Sequence, residues 1–541
     1  MAWTSLVGVG IRAWQARRIA KLSDTAYWTR RTARLQARQL RSLLRRAGGT
    51  EFGRARGFER IANLGDAEMI AAYRQAVAVS DYEAYRAAIV RMREQGEAGV
   101  LWPGLIKHYA QTSGTTAGDK YIPVSKAMLR SNYHAALDIF AHATRFGVSL
   151  PDLLAGKALF LGGSTDLTVN KHGIATGDLS GLVTPMIRWP ISAIYLPGRK
   201  IALMSDWPAK IEAMARCSVH EDVRMINGMP SWMLVLFQRV IELARVEKPS
   251  VRTIRDVWPN LRLMVHGGVK YTPFDARVRQ FWSGRPDGED VPRRLELYPA
   301  SEGFIAIQDT AGDPGLRLLS DIGNFYEFVP LERVNDADAP TFTADKVEKG
   351  QKYVVCMSTC AGLWRYLIGD VVEFDTIPAG LDGRGGEGPA RLRIVGRHKH
   401  FINAFGENLI VEHIENAVAA AAKAVGVMVG EFTAAPVYPR EEQGRVVRAG
   451  LQLAVEMERP TPTTLAAFGA AFDDSLKAQN LDYTTKRTAG VGMAEPTITV
   501  LPTGAFHRWM QSRGKLGGQH KCPRCANHRE ILEAVMGGAS G

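Results

Sequence analysis

Cysteine is scarce in this sequence, with five in 541 residues. So few cysteines exclude a disulfide framework, because folds that depend on disulfides are short and rich in cysteine. Two of the five form the segment CPRC, which has a histidine on each side, His520 and His528. A structural zinc site usually needs a second ligand pair, and none stands at a usual spacing. We therefore expect ordinary thiols rather than metal ligands at Cys522 and Cys525.

Long uncharged apolar runs are also absent. No stretch reaches the roughly 18 residues of a membrane-spanning helix. The opening segment MAWTSLVGVGI lacks a preceding charge and a following cleavage site, unlike a secretory signal. These absences favour a cytoplasmic protein. A mitochondrial-type leader and a helix on a membrane surface share the arginine-rich, acid-poor character of this region, and both stay open as alternatives.

The net charge of +13 is concentrated at the start of the chain. Residues 1–50 hold eleven basic residues against one acid, Asp24, which leaves +10 there and +3 for the rest. No basic stripe with interleaved aromatic residues follows, so we expect no nucleic-acid partner. Apolar residues recur at helical intervals from Ile11 to Arg46, and Gly48 and Gly49 end the run. We expect N-terminal helices with a solvated or acid-paired basic face, or one in weak contact with a membrane.

The body of the chain alternates between two kinds of segment. From residue 100 to about 375, short apolar runs such as KALFLGG and LRLMVHGG alternate with helical patterns such as WMLVLFQRVIELARV. This alternation predicts an α/β sheet architecture. The glycine-rich stretch 379–390 predicts an exposed loop near a boundary. We expect a large multi-sheet α/β domain over 1–397, including the basic helical start over 1–50, and a smaller α+β domain over 398–541.

The segment TSGTTAGDKYIP, Thr112–Pro123, groups hydroxyls and glycines ahead of Lys120. Glycine lets the backbone approach a polyphosphate, hydroxyls and N–H groups can bond to phosphate oxygens, and lysine supplies countercharge. The spacing differs from the Walker pattern. Taken alone, the segment is either a phosphate loop or a plain Gly/Ser/Thr loop.

Three further segments place chemistry at strand ends. In LYPASEG, Glu302 follows an apolar strand and can hold Mg²⁺, although a lone glutamate is more often a surface acid. In GLWRYLIGD, Asp370 can accept hydrogen bonds from ribose hydroxyls, and Arg365 can pair with a phosphate or with that acid. In RIVGRHKHFINAFGENLIVEHIE, residues 393–415, a strand and two glycine turns precede a helix.

In their order and spacing these segments resemble the motifs of the adenylate-forming superfamily, which includes acyl-CoA synthetases, adenylation domains and luciferases. The resemblance implies an adenylate-forming fold whose smaller C-terminal domain is mobile about a hinge at residues 397–400. It implies ATP and Mg²⁺ as cofactors, with Glu302 as the metal ligand. It also implies nucleotide-binding roles for Thr112, Ser113, Gly114, Thr115, Thr116, Gly118, His266, Gly267, Gly268, Tyr298, Ser301, Asp370 and Arg397.

Within that superfamily the chain is most similar to the Gretchen Hagen family of auxin-responsive acyl acid amido synthetases. The similarity rests on DKYIPVS, VLWPGLIKHYAQTSGT and GQHKCPRCANHREILEAV. It implies that a carboxylic acid is adenylated and passed to the amine of an amino acid, with Lys521, Glu302 and Lys120 as catalytic residues. Lys515 competes with Lys521 for the role of adenylation lysine. An acyl-CoA ligase and a non-catalytic nucleotide-binding scaffold stay open as alternatives.

Two features limit what the resemblance carries. Thr112 stands where serine is commoner, and GRHKHFIN lacks the acidic pair and downstream lysine of many acyl-CoA synthetases. The identity of the acid follows no motif. Five large side chains either line an acyl pocket or belong to the core: Trp189, Met225, Met229, Trp232 and Met233.

Overall fold

The computed structural model describes most of the chain, in these ranges: 3–112, 120–162, 167–183, 191–204, 206–268, 271–336, 338–398, 401–402, 409–438, 440–442, 445–447, 450–480, 483–484, 487, 493–513, 522–526 and 528–538. The chain forms two compact units. The larger contains Met1–Val269, Val278–Ile394 and Gly517–Gln519, and the smaller contains Lys270–Arg277, Val395–Leu516 and His520–Gly541. The expected class, a large multi-sheet α/β body and a smaller C-terminal body, is confirmed.

The first part of the chain, up to residue 283, contributes fifteen described helices. They are α1 (Trp3–Ser23), α2 (Thr25–Ala47), α3 (Glu51–Ala55), α4 (Phe58–Ile61), α5 (Asp66–Ala76), α6 (Glu83–Glu94), α7 (Lys126–Arg145), α8 (Leu150–Leu153), α9 (Leu179–Val183), α10 (Ile191–Ile194), α11 (Arg199–Ala202), α12 (Trp207–Ser218), α13 (Pro230–Glu247), α14 (Ile254–Val257) and α15 (Asp275–Ser283). Short 3₁₀ turns lie at Thr272–Phe274 and Leu331–Arg333. No helix in the described ranges is both long and apolar enough to cross a membrane.

The strands up to residue 397 form two sheets. They are β1 (His108–Thr112), β2 (Lys120–Pro123), β3 (Lys157–Phe160), β4 (Thr168–Val169), β5 (Ala175–Gly177), β6 (Tyr195–Leu196), β7 (Val223–Gly228), β8 (Leu263–Gly267), β9 (Arg294–Ala300), β10 (Gly303–Gln308), β11 (Leu316–Leu318), β12 (Phe325–Pro330), β13 (Lys352–Ser358), β14 (Tyr366–Thr376) and β15 (Arg391–Arg397). One sheet has the order β2-β1-β5-β4. The other has eleven strands in the order β12-β13-β14-β15-β11-β10-β9-β8-β7-β3-β6.

The helical start of the chain packs into the core of the larger unit. Asp24 breaks the expected helical run, because its carboxylate accepts a hydrogen bond from the Tyr27 amide and caps α2. Along α2, Leu40 and Leu44 are fully buried in a cluster that also contains Trp364. Part of the expected acid-paired basic face is confirmed, since Arg18 forms ion pairs with two aspartates of this unit, Asp138 and Asp321.

The smaller unit has a three-stranded sheet, β18-β21-β22, and four helices in the described ranges. Its elements are β16 (Phe401–Ile402), β17 (Leu409–Ile410), α16 (Val411–Val425), β18 (Val429–Val437), β19 (Arg440–Glu442), β20 (Arg445–Val447), β21 (Gly450–Met457), α17 (Pro462–Gln479), β22 (Thr497–Leu501), α18 (Ala505–Ser512) and α19 (Glu530–Gly538). Buried side chains from α16, α17 and the sheet form one core, with Phe432 and Phe472 both fully buried.

Candidate functional site

The larger unit gathers the ends of five parallel strands at one edge of its main sheet. Strands β6, β3, β7, β8 and β9 are paired in parallel, so their carboxyl ends lie on the same side. In α/β sheets this edge is where ligands bind, because the loops that leave it converge. The predicted nucleotide residues His266 and Gly267 are the last two residues of β8 and Gly268 follows them, while Ser301 and Glu302 follow β9.

Strands β8 and β9 are parallel neighbours and end side by side. Gly267 lies opposite Leu297 in the ladder between the two strands. A Cβ on Gly267 would lie 2.4 Å from the Leu297 carbonyl oxygen, so only glycine allows this approach. Gly268 follows with φ of 84°, a left-handed conformation that glycine adopts without strain. The local backbone therefore requires glycine at both positions, which are also predicted to bind the nucleotide.

Tyr298 and Asp370 meet although they lie on distant strands. The Tyr298 hydroxyl donates a hydrogen bond of 2.8 Å to Asp370 Oδ2. Three strands separate β9 from β14 in the sheet order, and in a flat sheet four spacings would hold them roughly 19 Å apart. The sheet must therefore curl to bring the two predicted site residues together. The bond orients the carboxylate that is expected to bind ribose.

Ser301 and Glu302 form the two-residue turn between β9 and β10. Ala300 pairs with Gly303 across this turn, and both turn residues are buried. Gly303 has φ of 146°, and a Cβ there would lie 2.8 Å from the Asn324 side-chain nitrogen. The hairpin is therefore held closely against the loop that contains Asn324.

Glu302 offers a single buried carboxylate to the expected magnesium ion. The described residues contain no group of three or more metal-ligating side chains. Mg²⁺ needs no such group, because it commonly binds one or two carboxylates together with substrate phosphates and water. The single carboxylate of Glu302 suits this mode of binding.

His266 lies in the interior, with 3% of its surface exposed. Burial, together with the smaller effect of the nearby positive charge of Arg294, lowers its pKa to about 3. The imidazole is therefore neutral near pH 7. It can take part in hydrogen bonding beside a nucleotide, but it supplies no positive charge to phosphates.

The predicted phosphate loop connects the paired strands β1 and β2. Thr112 at the end of β1 lies opposite Lys120 at the start of β2. The Lys120 ammonium lies 5.8 Å from the centre of the Tyr82 ring. The five other predicted loop residues lie outside the described residues: Ser113, Gly114, Thr115, Thr116 and Gly118.

Of the other predicted residues, the structure describes some and not others. Arg397, the last residue of β15, is exposed. The hinge residues Lys399 and His400 and both candidate lysines, Lys515 and Lys521, lie outside the described residues.

The segment that follows Lys521 is bound tightly within the smaller unit. The Ala434 amide on β18 donates to the Arg524 carbonyl at 2.9 Å, and the Ala526 amide donates back to Ala434 at 3.1 Å. The Arg524 guanidinium, 7% exposed, pairs with Glu431 at 2.6 Å. The sequence alone did not reveal this role, although Arg524 lies within the segment GQHKCPRCANHREILEAV on which the family resemblance rests.

The two cysteines of CPRC, Cys522 and Cys525, are buried free thiols. Burial raises the pKa of both, which keeps them protonated near pH 7. A protonated buried thiol behaves as a small apolar side chain. Both residues therefore contribute to the packing of the smaller unit.

Arg365 has a different role from those first considered. Its guanidinium donates to Glu327 at 3.0 Å, to the Val77 carbonyl at 2.7 Å and to the Thr341 hydroxyl at 2.7 Å. It is 5% exposed and has φ of 47°, in the left-handed region. The expected pairing with a phosphate or with Asp370 is wrong, because interior acceptors hold this side chain.

The five candidate acyl-pocket residues also separate. Met225 and Met233 are buried in the core, and Trp189 lies outside the described residues. Met229 and Trp232 are half-buried at the start of α13, directly after β7. They lie at the same sheet edge as the predicted nucleotide loops, so they stay candidates for the acid-binding site, as does the untested Trp189.

Comparisons with known proteins agree with this architecture. Models of three GH3 family domains match the chain: the N-terminal domain over residues 21–195, the central domain over 317–379 and the C-terminal domain over 412–530. The solved structure of the GH3.15 acyl acid amido synthetase has the same fold. It matches with a TM-score of 0.73 at 18% identity, over 94% of each chain.

Curated relatives are more distant in sequence. The indole-3-acetic acid-amido synthetase GH3.3 of Arabidopsis thaliana is 23% identical over 296 residues, or 52% of this chain and 46% of that protein. The indole-3-acetic acid-amido synthetase GH3.8 of Oryza sativa subsp. indica is 26% identical over 380 residues, or 67% of this chain and 54% of that protein. The chain thus spans about half the length of these relatives. The three family domains together cover well over half of the sequence, and the chain belongs to the GH3 family.

Proposed function

We propose that this protein is an ATP-dependent acyl acid amido synthetase. It joins a carboxylic acid to AMP and then transfers the acyl group to the amine of an amino acid. The single observation that carries the proposal is the placement of Tyr298, Asp370 and Glu302 around the carboxyl ends of the parallel strands in a GH3 fold. The similarity to the indole-3-acetic acid-amido synthetases GH3.3 and GH3.8 supports it.

In the first step a carboxylate oxygen of the acid attacks the α-phosphorus of ATP, and pyrophosphate leaves. Negative charge gathers around phosphorus, so catalysis depends on positioning and on electrostatic stabilisation. We assign ribose binding to Asp370, which Tyr298 orients, and contact with the phosphates to the loop between β1 and β2. Mg²⁺, when held by Glu302, would offset phosphate charge. We assign the charge-stabilising lysine to Lys521.

In the second step an uncharged amine attacks the acyl carbon of the mixed anhydride. The amide bond forms, AMP leaves with the bonding electron pair, and the amine loses a proton. Water competes for the same intermediate, so the site must exclude it. We expect the C-terminal domain, 398–541, to rotate about residues 397–400 between the two steps, as the family resemblance implies. We place the reaction in the cytoplasm.

A matrix of acids and amino acids tests the proposal. Purified protein with ATP and Mg²⁺ should release AMP only in wells that hold a matched pair, and mass spectrometry should detect the amide. Glu302→Gln serves as the matched inactive variant, because it keeps the size of the side chain and removes its charge. An acyl-CoA product formed with CoA in place of an amino acid would favour the ligase alternative. Absence of acid-dependent pyrophosphate exchange for every acid would favour the scaffold.

A further inference from the structure

Helix α1 exposes three of its large apolar side chains to solvent, although others, such as Leu22, are buried. Leu6, Val9 and Trp14 are 66%, 53% and 65% exposed. On the inward side, polar residues such as Ser5 and Gln15 are buried, and Gln15 donates to the Leu137 carbonyl at 2.9 Å. A helix at a water-exposed surface ordinarily keeps its large apolar side chains on the inward face. The outward face of α1 therefore suits contact with an apolar surface better than contact with water.

The inward contacts prevent the helix from rolling to bury that face. A Cβ on Gly8 would lie 2.7 Å from the Pro151 Cα, so the helix packs directly on α8. One turn from the end of α1, Arg18 pairs with the buried carboxylate of Asp138 at 2.5 Å and with Asp321 at 2.7 Å. Rotation would break both ion pairs inside the larger unit. The apolar face is thus a fixed feature of the surface.

Basic side chains lie beside this face. Arg12 follows Val9 by three positions and Arg17 follows Trp14 by three, so each is next to an apolar residue on the helix surface. Both are exposed and form no ion pair with a residue that the structure describes. Within residues 1–50, Asp24 is the only acid. The face therefore combines apolar anchors with unopposed positive charge.

We propose that the outward face of α1, defined by Leu6, Val9, Arg12, Trp14 and Arg17, binds the surface of a bilayer that contains anionic lipids. Leucine and valine can enter the acyl boundary, tryptophan favours the headgroup level, and arginine reaches phosphate groups. A second copy of the chain is disfavoured, because a twofold contact would bring the two sets of arginines together. Binding would place a GH3 enzyme next to apolar acids that partition into membranes.

Vesicle flotation with the full-length protein tests this proposal. The protein should float with vesicles of phosphatidylcholine and phosphatidylglycerol, and binding should weaken in high salt and with phosphatidylcholine alone. The double variant Leu6→Gln/Trp14→Gln should bind about tenfold more weakly or worse. Arg12→Gln and Arg17→Gln should each lower binding to anionic vesicles by about fivefold. The control Val246→Gln, at an 81% exposed position on α13, should bind as the original protein does.

A fluorescence measurement keeps the test valid if the double variant folds poorly. Anionic vesicles should shift the protein's tryptophan emission to the blue, and Trp14→Phe should lose that shift while keeping its thermal unfolding curve. The proposal is overturned if the original protein does not bind anionic vesicles. It is also overturned if Val246→Gln loses as much binding as the α1 variants. A concentration-dependent dimer that Leu6→Gln/Trp14→Gln dissociates would assign the face to self-association instead.

Discussion

The contact between Tyr298 and Asp370 joins two residues that are predicted to bind the nucleotide. Tyr298 is 3% exposed, so its hydroxyl has exchanged water for the carboxylate oxygen. A single hydrogen bond to a charged group contributes modestly to free energy, but its removal leaves a carboxylate less well oriented. The residue is therefore suited to tune ATP binding without taking part in bond changes.

Tyr298→Phe should weaken ATP binding by about three- to tenfold, because it removes that donor and keeps the ring. Isothermal titration with ATP and the KM for ATP in acid-dependent pyrophosphate exchange measure the effect. Tyr133→Phe, at a 58% exposed position, is the matched control and should change neither quantity. Unchanged ATP binding in Tyr298→Phe would mean that Asp370 is oriented by other groups.

The buried imidazole of His266 predicts a pH dependence of stability. Its pKa is about 3 in the folded protein against 6.5 for the free side chain, so the unfolded chain binds a proton that the folded chain excludes. The contribution of His266 is therefore fully present above pH 6.5 and is lost as the pH falls toward 3. Each unit in that window costs about 1.4 kcal/mol.

Urea unfolding at several pH values can isolate this contribution. Between pH 6.5 and 5, His266→Gln should lose about 2 kcal/mol less free energy of unfolding than the original protein loses. His172→Gln, at an exposed position, is the control and should follow the original curve. Parallel curves for all three proteins would show that His266 titrates normally.

Lys521 is the proposed charge-stabilising residue of the adenylation step. Lys521→Ala should slow acid-dependent pyrophosphate exchange by about a hundred- to a thousandfold, because a transition state that gains charge loses its cation. ATP binding should change little. Lys515→Ala is the comparison variant and should have the smaller effect. Near-normal exchange in Lys521→Ala would move the role to Lys515 or Lys120.

At the scale of elements, Arg365 ties several segments of the larger unit together. Its guanidinium donates hydrogen bonds to Glu327 on β12, to the Val77 carbonyl after α5 and to the Thr341 hydroxyl. Glu327 is only 1% exposed, so the pair is screened from water. Removing one partner of such a pair leaves an uncompensated buried charge.

Arg365→Ala should lower the free energy of unfolding by about 3–5 kcal/mol for this reason. Chemical denaturation monitored by tryptophan fluorescence gives the value. Arg333→Ala, which removes an exposed ion pair with Asp336, should leave stability unchanged. If Arg365→Ala kept full stability but lost ATP affinity, the guanidinium would serve a phosphate after all.

The segment 522–526, which follows the candidate catalytic Lys521, is held against strand β18. It adds to the edge of β18 through the Ala434 backbone, and the Thr433 hydroxyl donates to the Pro523 carbonyl at 2.7 Å. Arg524 secures it from the other side through Glu431. A firmly held segment directly after Lys521 is what a residue with a long, mobile side chain needs in order to act from a defined position.

At the scale of the whole molecule, the family resemblance predicts rotation of the C-terminal domain about residues 397–400. Lys399→Pro should restrict that rotation, because proline fixes φ and removes an amide hydrogen. It should therefore impair pyrophosphate exchange and amide formation from preformed adenylate to different extents. Lys399→Ala is a control for loss of charge alone. Equal loss of both half-reactions in folded Lys399→Pro protein would contradict a hinge.

Much of the fold could be predicted from local pattern. The apolar runs KALF and LMVHG became β3 and β8, and the segment WMLVLFQRVIELARV lies within α13. These predictions hold because strand and helix periodicities depend on neighbours within a few residues. The order of the motifs also pointed to the family, since each motif is a short contiguous segment.

Tertiary structure decided what distant residues do to one another. Tyr298 meets Asp370, 72 positions later, only because the main sheet curls. Arg365 binds Glu327 rather than a phosphate, and Met225 is core while Met229 lies at the sheet edge. The sequence by itself determined which segments become strands, helices and motifs, because that choice is local. Burial, partners and pKa depend on strand order and packing, and these exist only in the folded chain.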